Sequence, residues 1–459
     1  MNPVLLIDFG SAYAKLTAVD TDAAKILSTA QSYTTVQTDI NDGLNNGLSL
    51  LAEECGELDF SSRFACSSAA GGLKMIASGL VPALTTKAAK QASLGAGAKL
   101  MKTYSFELTE DDLREIAMAR PDIFLLCGGT DGGDTEHITH NAEMLASMQP
   151  DFPIIYAGNR SCARECAEIL ADTNLTVCEN VMPRLEELNI DSAQAKIREV
   201  FLNNIVSAKG LSEASELLDE IVMPTPSAVK KALELLAEGT KGEPGIGDLV
   251  ALDVGGATTD VYSIADGLPT GTNVVFKGLE EPYSKRSVEG DIGMRYSIKG
   301  IVEAAGLKEI ASLAQMEESR AAELIDFLSE NTDTLPADNE ELRLLDYALA
   351  SAAVRTAMAR HAGTIKESYT VMGQVYVQSG KDLTAVEKMI VTGGSLVRSK
   401  DAAKIATHAF YSQEDFASLR PKNAEIFIDD KYIIAAMGLL AGKYPDAALK
   451  ILRKELKNG

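Results

Sequence analysis

The sequence predicts an α/β protein in which two related half-domains flank an inserted, doubly wound α/β domain, and three observations carry that prediction. An apolar run closes on Asp8, turns through small residues and returns as a second strand, and the same pattern recurs at Asp253. Between the two copies, from about Ser61 to Met182, short apolar runs alternate with amphipathic stretches, as in a parallel sheet covered on both faces. A chain of 459 residues, 46% hydrophobic and 24% charged, is long enough for two or three such cores.

Charge bounds the partners. With 43 Lys and Arg against 66 Asp and Glu, a net charge of −23, the chain repels a nucleic-acid backbone, which still leaves room for a local positive cleft around a nucleotide. Met1 to Asp8 lack the basic residues of a secretory leader and meet a charge too soon, and no apolar run reaches bilayer length. A cytoplasmic protein with neither a nucleic-acid nor a membrane partner is expected. Cys55, Cys66, Cys127, Cys162, Cys166 and Cys178 show no paired metal-type spacing and read as buried thiols. Cys162 with Cys166, and His137 with His140, would each share one helix face, where a ligand role is the lesser reading.

In chain order, Val4 to Ile7 form the first strand, Asp8-Phe-Gly10-Ser11-Ala12 the turn and Tyr13 to Val19 the returning strand, with a third strand near Lys25 to Val36. Alternation along the returning strand aims Lys15 back at the turn, where its ammonium can meet a phosphate; as a plain edge-strand lysine it would have no such role. A helix over Gly47–Leu58 follows. The alternating segment reads as strands at Leu73–Val81, Ile123–Cys127, Ile154–Ala157 and Leu175–Val177, with helices at Thr85–Met101, Glu110–Ala119, Thr135–Ser147 and Ala163–Ala171. Its loop from Cys127 to Asp134 follows a strand at the end where such sheets bind ligands, and reads equally as a recognition loop or as a glycine turn capped by Asp134. A helical pattern from Ala193 to Leu218, a proline-led helix from Met223 to Ala237, and a glycine-rich connector through Gly247 complete the first half. The predicted boundaries are 1–60 plus 193–247 for the first lobe, 61–192 for the insert and 248–459 for the second lobe.

In the second copy Leu249 to Leu252 reach Asp253, bend through Gly255, Gly256 and Ala257, and resume past Thr258 and Asp260 as Val261 to Ile264. The glycines let backbone N–H groups approach an anion, Thr258 offers a hydroxyl, and Asp253 can hold a magnesium ion through water. A glycine hairpin with an incidental aspartate is the alternative, and the copy at Asp8 weighs against it. A strand at Thr272–Lys277 comes next, then Ser287 to Arg295, with Gly290 and Asp291, leading into a helix, and long helices at Glu303–Asn331 and Asn339–Tyr369. Lys388 to Thr392 then deliver a Gly393-Gly394-Ser395 turn that a flat base can approach closely. Glu425–Ile428 reads as a strand and Lys431–Ala441 as a small-residue helix.

Together, Asp8-Phe-Gly-Ser-Ala with Lys15, Asp253-Val-Gly-Gly-Ala-Thr-Thr-Asp260 and Thr392-Gly-Gly-Ser395 resemble the first phosphate loop, second phosphate loop and adenosine loop of the actin, sugar-kinase and DnaK-type chaperone superfamily. The resemblance implies two ribonuclease-H-like, actin-type ATPase lobes that bind ATP and Mg2+. It implies that Asp8 and Asp253 hold magnesium through water and that Lys15 touches phosphate. Gly10, Ser11 and Ala12 would wrap one side of the phosphates, Gly255, Gly256, Ala257 and Thr258 the other, and Gly393, Gly394 and Ser395 would flank the adenosine. Gly290-Asp291 resembles the helix start that closes the nucleotide site in the chaperones, and the segments beginning at Pro224 and Lys431 resemble the two helices of the hinge. One departure stands at Met223 to Ser227, which carry no Glu or Gln to orient the attacking water. Either hydrolysis is slow, or Asp8, Asp253 or Asp260 takes that catalytic role.

Over nearly its full length the chain resembles the glutamate mutase accessory family called MutL or GlmL, unrelated to the mismatch-repair protein that shares the first name. The marks are Ile7-Asp-Phe-Gly-Ser, Cys127-Gly-Gly-Thr-Asp-Gly-Gly, Met223-Pro-Thr-Pro, Val288-Glu-Gly-Asp and Thr392-Gly-Gly-Ser. This resemblance implies a slow ATPase with ATP and ADP as ligands, acting as a chaperone-like reactivating factor that releases damaged cofactor from an adenosylcobalamin-dependent mutase or aminomutase. Its oligomeric state is open, a homodimer included. The insert's strand and helix order is also similar to that of cobalamin-binding domains, but it lacks their Asp-x-His-x-x-Gly motif, so no cobalamin coordination by His137 or His140 is expected. A small-molecule kinase of the same fold and an actin-type or cell-division-type scaffold are the alternatives. The kinase would need a further cleft aspartate, and none stands out.

Overall fold

The structure, a computed structural model, describes residues 1–459 apart from 11–12, 34–39, 68–72, 209–219, 272, 337–338 and 371–372. Strand β1 (Pro3–Phe9) is buried at every position, pairs antiparallel with β2 (Tyr13–Asp20), and β3 (Lys25–Tyr33) continues the meander. On its other side β1 takes β4 (Ser62–Ser67) in parallel, and helix Ile40–Cys55 supplies the crossover that a parallel pair requires.

The insert then forms its own sheet from β5 (Lys74–Gly79), β6 (Lys99–Ser105), β7 (Ile123–Leu126), β8 (Ile154–Tyr156) and β9 (Leu175–Val177). All its pairings are parallel and the order is β6-β5-β7-β8-β9, the doubly wound arrangement expected. After helix Asp191–Ala208, β10 (Glu220–Pro224) rejoins the first sheet beside β4, giving β10-β4-β1-β2-β3.

Several elements differ from the expectation. Helix Thr85–Gly95 stops short of Met101 because Gly97 turns the chain at φ +90°, and the residues beyond it become β6. Strand β4 lies within the segment 61–192 assigned to the insert, yet it belongs to the first sheet. The insert also shares a core with that sheet: Leu5, Ile7 and Leu16 join one buried apolar cluster with Ala88, Ala92, Leu125 and Ile155. The expected reach of β3 to Val36, of the helix to Leu218, and the position of Thr272 fall outside the described residues.

The second sheet repeats the plan. Strands β11 (Leu249–Val254) and β12 (Thr259–Ile264) pair antiparallel. A short β13 (Val274–Phe276) precedes β14 (Ser284–Glu289), which continues the meander beyond β12. Strands β15 (Thr364–Thr370) and β16 (Gly373–Ser379) join β13 in a separate three-stranded sheet. Strands β17 (Lys388–Thr392) and β18 (Glu425–Ile428) extend the main sheet in parallel from β11, and β19 (Lys457–Asn458) closes its edge. Strand for strand, β14-β12-β11-β17-β18 matches β3-β2-β1-β4-β10, which is the duplicated ribonuclease-H-like plan of an actin-type protein.

The long helices predicted here are shorter in fact. Gly306, at φ +88°, separates Ile298–Ala305 from Leu307–Leu313, and Glu318–Glu330 follows as a third helix. Helix Glu340–His361, capped by the Asn339 side chain, ends before Gly363, and the β-prone run from Thr364 becomes β15 instead of continuing to Tyr369 as helix.

Internal contacts divide the chain into Met1–Ala232 with Gly278–Glu280 and Ile434–Ile451, and Leu233–Lys277 with Glu281–Ile433 and Leu452–Gly459. Residues 434–451 therefore pack with the first unit, although the sequence placed them in the second lobe. There helix Ile434–Leu440 presses on the start of helix Thr225–Glu238, so closely that a Cβ on Gly438 would lie 1.8 Å from the Ala228 carbonyl oxygen. Among the described residues no helix is long and apolar enough to cross a membrane.

Candidate functional site

In the first unit Asp8 stands near the end of β1, facing Lys15 on β2 and Cys66 on β4 in the sheet register. It is 6% exposed, and its surroundings account for that burial. The Thr225 hydroxyl donates to Oδ1 at 2.6 Å, the Cys66 thiol approaches the same oxygen at 3.5 Å, and Lys15 Nζ lies 3.8 Å from Oδ2. Burial first, and the Asp8 charge second, push the Cys66 thiol well above its usual range, so it stays protonated and is a poor metal ligand. Gly10 opens the turn: its N–H donates to the Tyr13 carbonyl at 3.0 Å, and a Cβ there would meet that oxygen at 2.6 Å. Ser11 and Ala12 lie outside the described residues.

The second unit reproduces this register with different chemistry. Asp253 on β11 faces Asp260 on β12 and Thr392 on β17, so Asp260 takes the position of Lys15, and Thr392 that of Cys66. The turn closes with the same bond, Gly255 N–H to the Thr258 carbonyl at 2.9 Å. Segment Met294 to Tyr296 holds the turn from behind: Met294 N–H donates to the Gly255 carbonyl at 3.1 Å, and Arg295 and Tyr296 N–H donate to that of Gly256 at 2.9 Å each. Arg295 is itself fixed by a bidentate pair with Asp346 at 2.9 and 2.8 Å. Ala257 is exposed and Thr258 half-buried, with the Thr258 hydroxyl 3.4 Å from Asp260.

The third turn sits against Asp253. Gly393 has φ +94°, and a Cβ on it would lie 2.5 Å from the Val254 backbone nitrogen and 2.7 Å from Asp253 Oδ1, so only glycine fits. Gly394 is exposed and opens the short helix Gly394–Val397 that contains the half-buried Ser395. The Thr392 hydroxyl is turned away from Asp253 to Asp429, at 3.0 Å.

Two expectations change. Asp260 is taken up by Arg286, which reaches it through Nε at 2.7 Å and Nη2 at 2.6 Å, both residues being 8% exposed. Burial works against the Arg286 charge, but Asp260 and then Tyr262 outweigh it and raise its pKa. Gly290 and Asp291 form a turn after β14; the helix begins at Ile298, and Asp291 is exposed, 3.8 Å from Arg360. What the sequence missed is that Thr225, within the Met223-Pro-Thr-Pro mark, reaches Asp8, and that Arg286 and the backing segment 294–296, which carry no local motif, hold the second turn.

The Asp8 carboxylate, with the Thr225 hydroxyl beside it, is the hard oxygen donor that magnesium takes, and the second unit offers the same group at Asp253. Among the described residues no three His, Cys, Asp or Glu side chains gather to hold a metal, so a magnesium ion at either turn would draw most of its ligands from water and phosphate oxygens. Substituting Thr225→Val, which keeps shape and removes the hydroxyl, is expected to cost about 2 kcal/mol of stability in denaturant unfolding, the size of a hydrogen bond to a charge.

The model of a family described as MutL protein matches residues 4–456. A protein of Clostridium tetanomorphum called Protein MutL is 47% identical over 460 residues, covering 99% of either chain. Among solved structures, a diol dehydratase-reactivating factor in nucleotide-free form is 11% identical and aligns over 97% of this chain and 100% of its own, with a TM-score of 0.39. The (R)-2-hydroxyglutaryl-CoA dehydratase component A of Acidaminococcus fermentans is 10% identical over 98% and 100%, with a TM-score of 0.34. Likenesses of that size carry no weight for function.

Proposed function

Because the chain belongs to the MutL family of glutamate mutase accessory proteins, we propose that it is an ATP-dependent, chaperone-like reactivating factor for an adenosylcobalamin-dependent mutase of the glutamate mutase or aminomutase type. It would act in the cytoplasm, exchanging damaged cofactor for intact. The observation that supports the nucleotide part is the repeated register: Asp8 and Asp253 occupy matching strands, each followed by a turn closed by the same backbone hydrogen bond.

In this reading magnesium ATP is the ligand, and the metal shields phosphate charge when bound. Asp8 and Asp253 order its water shell. Gly10, Ser11, Ala12 and Lys15 serve one turn, and Gly255, Gly256, Ala257 and Thr258 the other. Gly393, Gly394 and Ser395 take the nucleoside. With Asp260 engaged by Arg286, orienting the attacking water falls to Asp8 and Asp253, and Asp260 acts as a positioning residue beneath the turn. Nucleotide exchange can do work on the mutase only if ATP and ADP favour different conformations of this chain.

The test is recovery of turnover. A glutamate mutase or aminomutase inactivated on its cofactor, given this chain, magnesium, ATP and fresh adenosylcobalamin, is expected to regain activity, and to regain none without ATP. Failure with every mutase of the class rejects the reading, and ADP release that depends on a small metabolite would favour a kinase.

A further inference from the structure

Tyr432 is an aromatic residue at φ +53°, a backbone region that bulky side chains avoid. The surrounding structure imposes it. Asp429, 2% exposed, accepts from the Thr392 hydroxyl at 3.0 Å and from the Ile433 N–H at 2.8 Å, while its carbonyl accepts from the Tyr432 N–H at 3.1 Å. The Asp429 bonds thus tie the end of β17 to the segment that carries Tyr432. The result is that the phenol tip meets the Gly393-Gly394 turn: a side chain begun on the exposed Gly394 would lie 3.7 Å from the Tyr432 hydroxyl. A glycine would adopt this backbone without strain, so the cost of a tyrosine calls for a use of its side chain.

We propose that Tyr432 is the residue that reads the nucleoside end of the nucleotide, its hydroxyl hydrogen-bonding the sugar or the base as that group lies along Gly393 and Gly394. The inference rests on the magnesium ATP reading above. A phenol both donates and accepts, and its flat ring allows a base or ribose to pack beside it. Holding it by the backbone means that little order is lost on binding.

The test uses the full chain with magnesium and four probes: ATP, 2′-deoxyATP, GTP and inorganic tripolyphosphate. Tyr432→Phe is expected to weaken ATP about tenfold, the loss of one hydrogen bond, and to leave tripolyphosphate unchanged. Loss of the preference for ATP over 2′-deoxyATP assigns the contact to the sugar, and loss of the preference over GTP assigns it to the base. Tyr432→Gly removes the ring and relieves the backbone, and is expected to show at least the same selective loss. Equal ATP affinity in wild type and Tyr432→Phe overturns the inference, as does a parallel fall for tripolyphosphate. A wild type that binds neither ATP nor tripolyphosphate overturns the nucleotide reading itself and this inference with it.

Discussion

Arg286→Met is expected to destabilise the chain by about 3–5 kcal/mol, read as a lowered denaturant midpoint, because it strands a carboxylate in the protein interior. Arg286 lies on β14, where it faces Tyr262 in the register, and reaches along the sheet to Asp260, two residues away on β12. Both side chains are almost fully buried, so water cannot replace the guanidinium once it is gone. Thr258, at 3.4 Å, is too weak a partner to compensate. The double variant Asp260→Leu with Arg286→Met, which removes both charges, is expected to recover most of the loss; if it is no better than the single variant, the pair is not what holds this strand. The turn proposed to hold phosphate begins at Gly255, five residues before Asp260, so Arg286→Met is also expected to weaken ATP binding.

Asp253→Ala is expected to lower magnesium-dependent ATP hydrolysis by roughly a hundredfold or more, as for loss of a group acting on the reacting phosphate, with little change in stability. Asp253 is half-buried at the end of β11, and its Oδ1 abuts the Gly393 turn. It is only half-buried and has a short side chain, so its removal leaves no large cavity and should not unfold the sheet. Asp253→Asn, which keeps the shape, separates charge from packing: a loss equal to that of the alanine variant assigns the effect to charge. Unchanged hydrolysis in both would return the hairpin to a simple glycine turn.

The hairpins at Asp8 and Asp253 were legible because an apolar run, a small-residue turn and a returning strand lie within about twenty residues, and period-two alternation is local. Helix Glu110–Ala119 of the insert was legible to the residue because the 3.6-residue period of a helix is equally local, whereas the helix from Thr85 ends at Gly95 and not at Met101. Strand β4, Ser-Arg-Phe-Ala-Cys-Ser, offers no alternation and is fixed only by its neighbours β1 and β10. Strand β10 ends on Pro224, a residue that normally argues against a strand and is tolerated here at the sheet edge. At the site, the Thr225 to Asp8 bond joins residues 217 apart, and the Arg286 to Asp260 pair spans 26. Sequence spacing therefore showed which carboxylates stand at the turns but not which of them is already occupied. That is why Asp260 read as catalytic while the structure commits it to an arginine.

Calorimetric titration of the full chain with ATP, with and without magnesium, tests the central claim most directly. The account predicts one ATP per chain, bound more tightly when magnesium is present, and lost in Asp253→Ala. No binding, or binding indifferent both to magnesium and to Asp253, would contradict it.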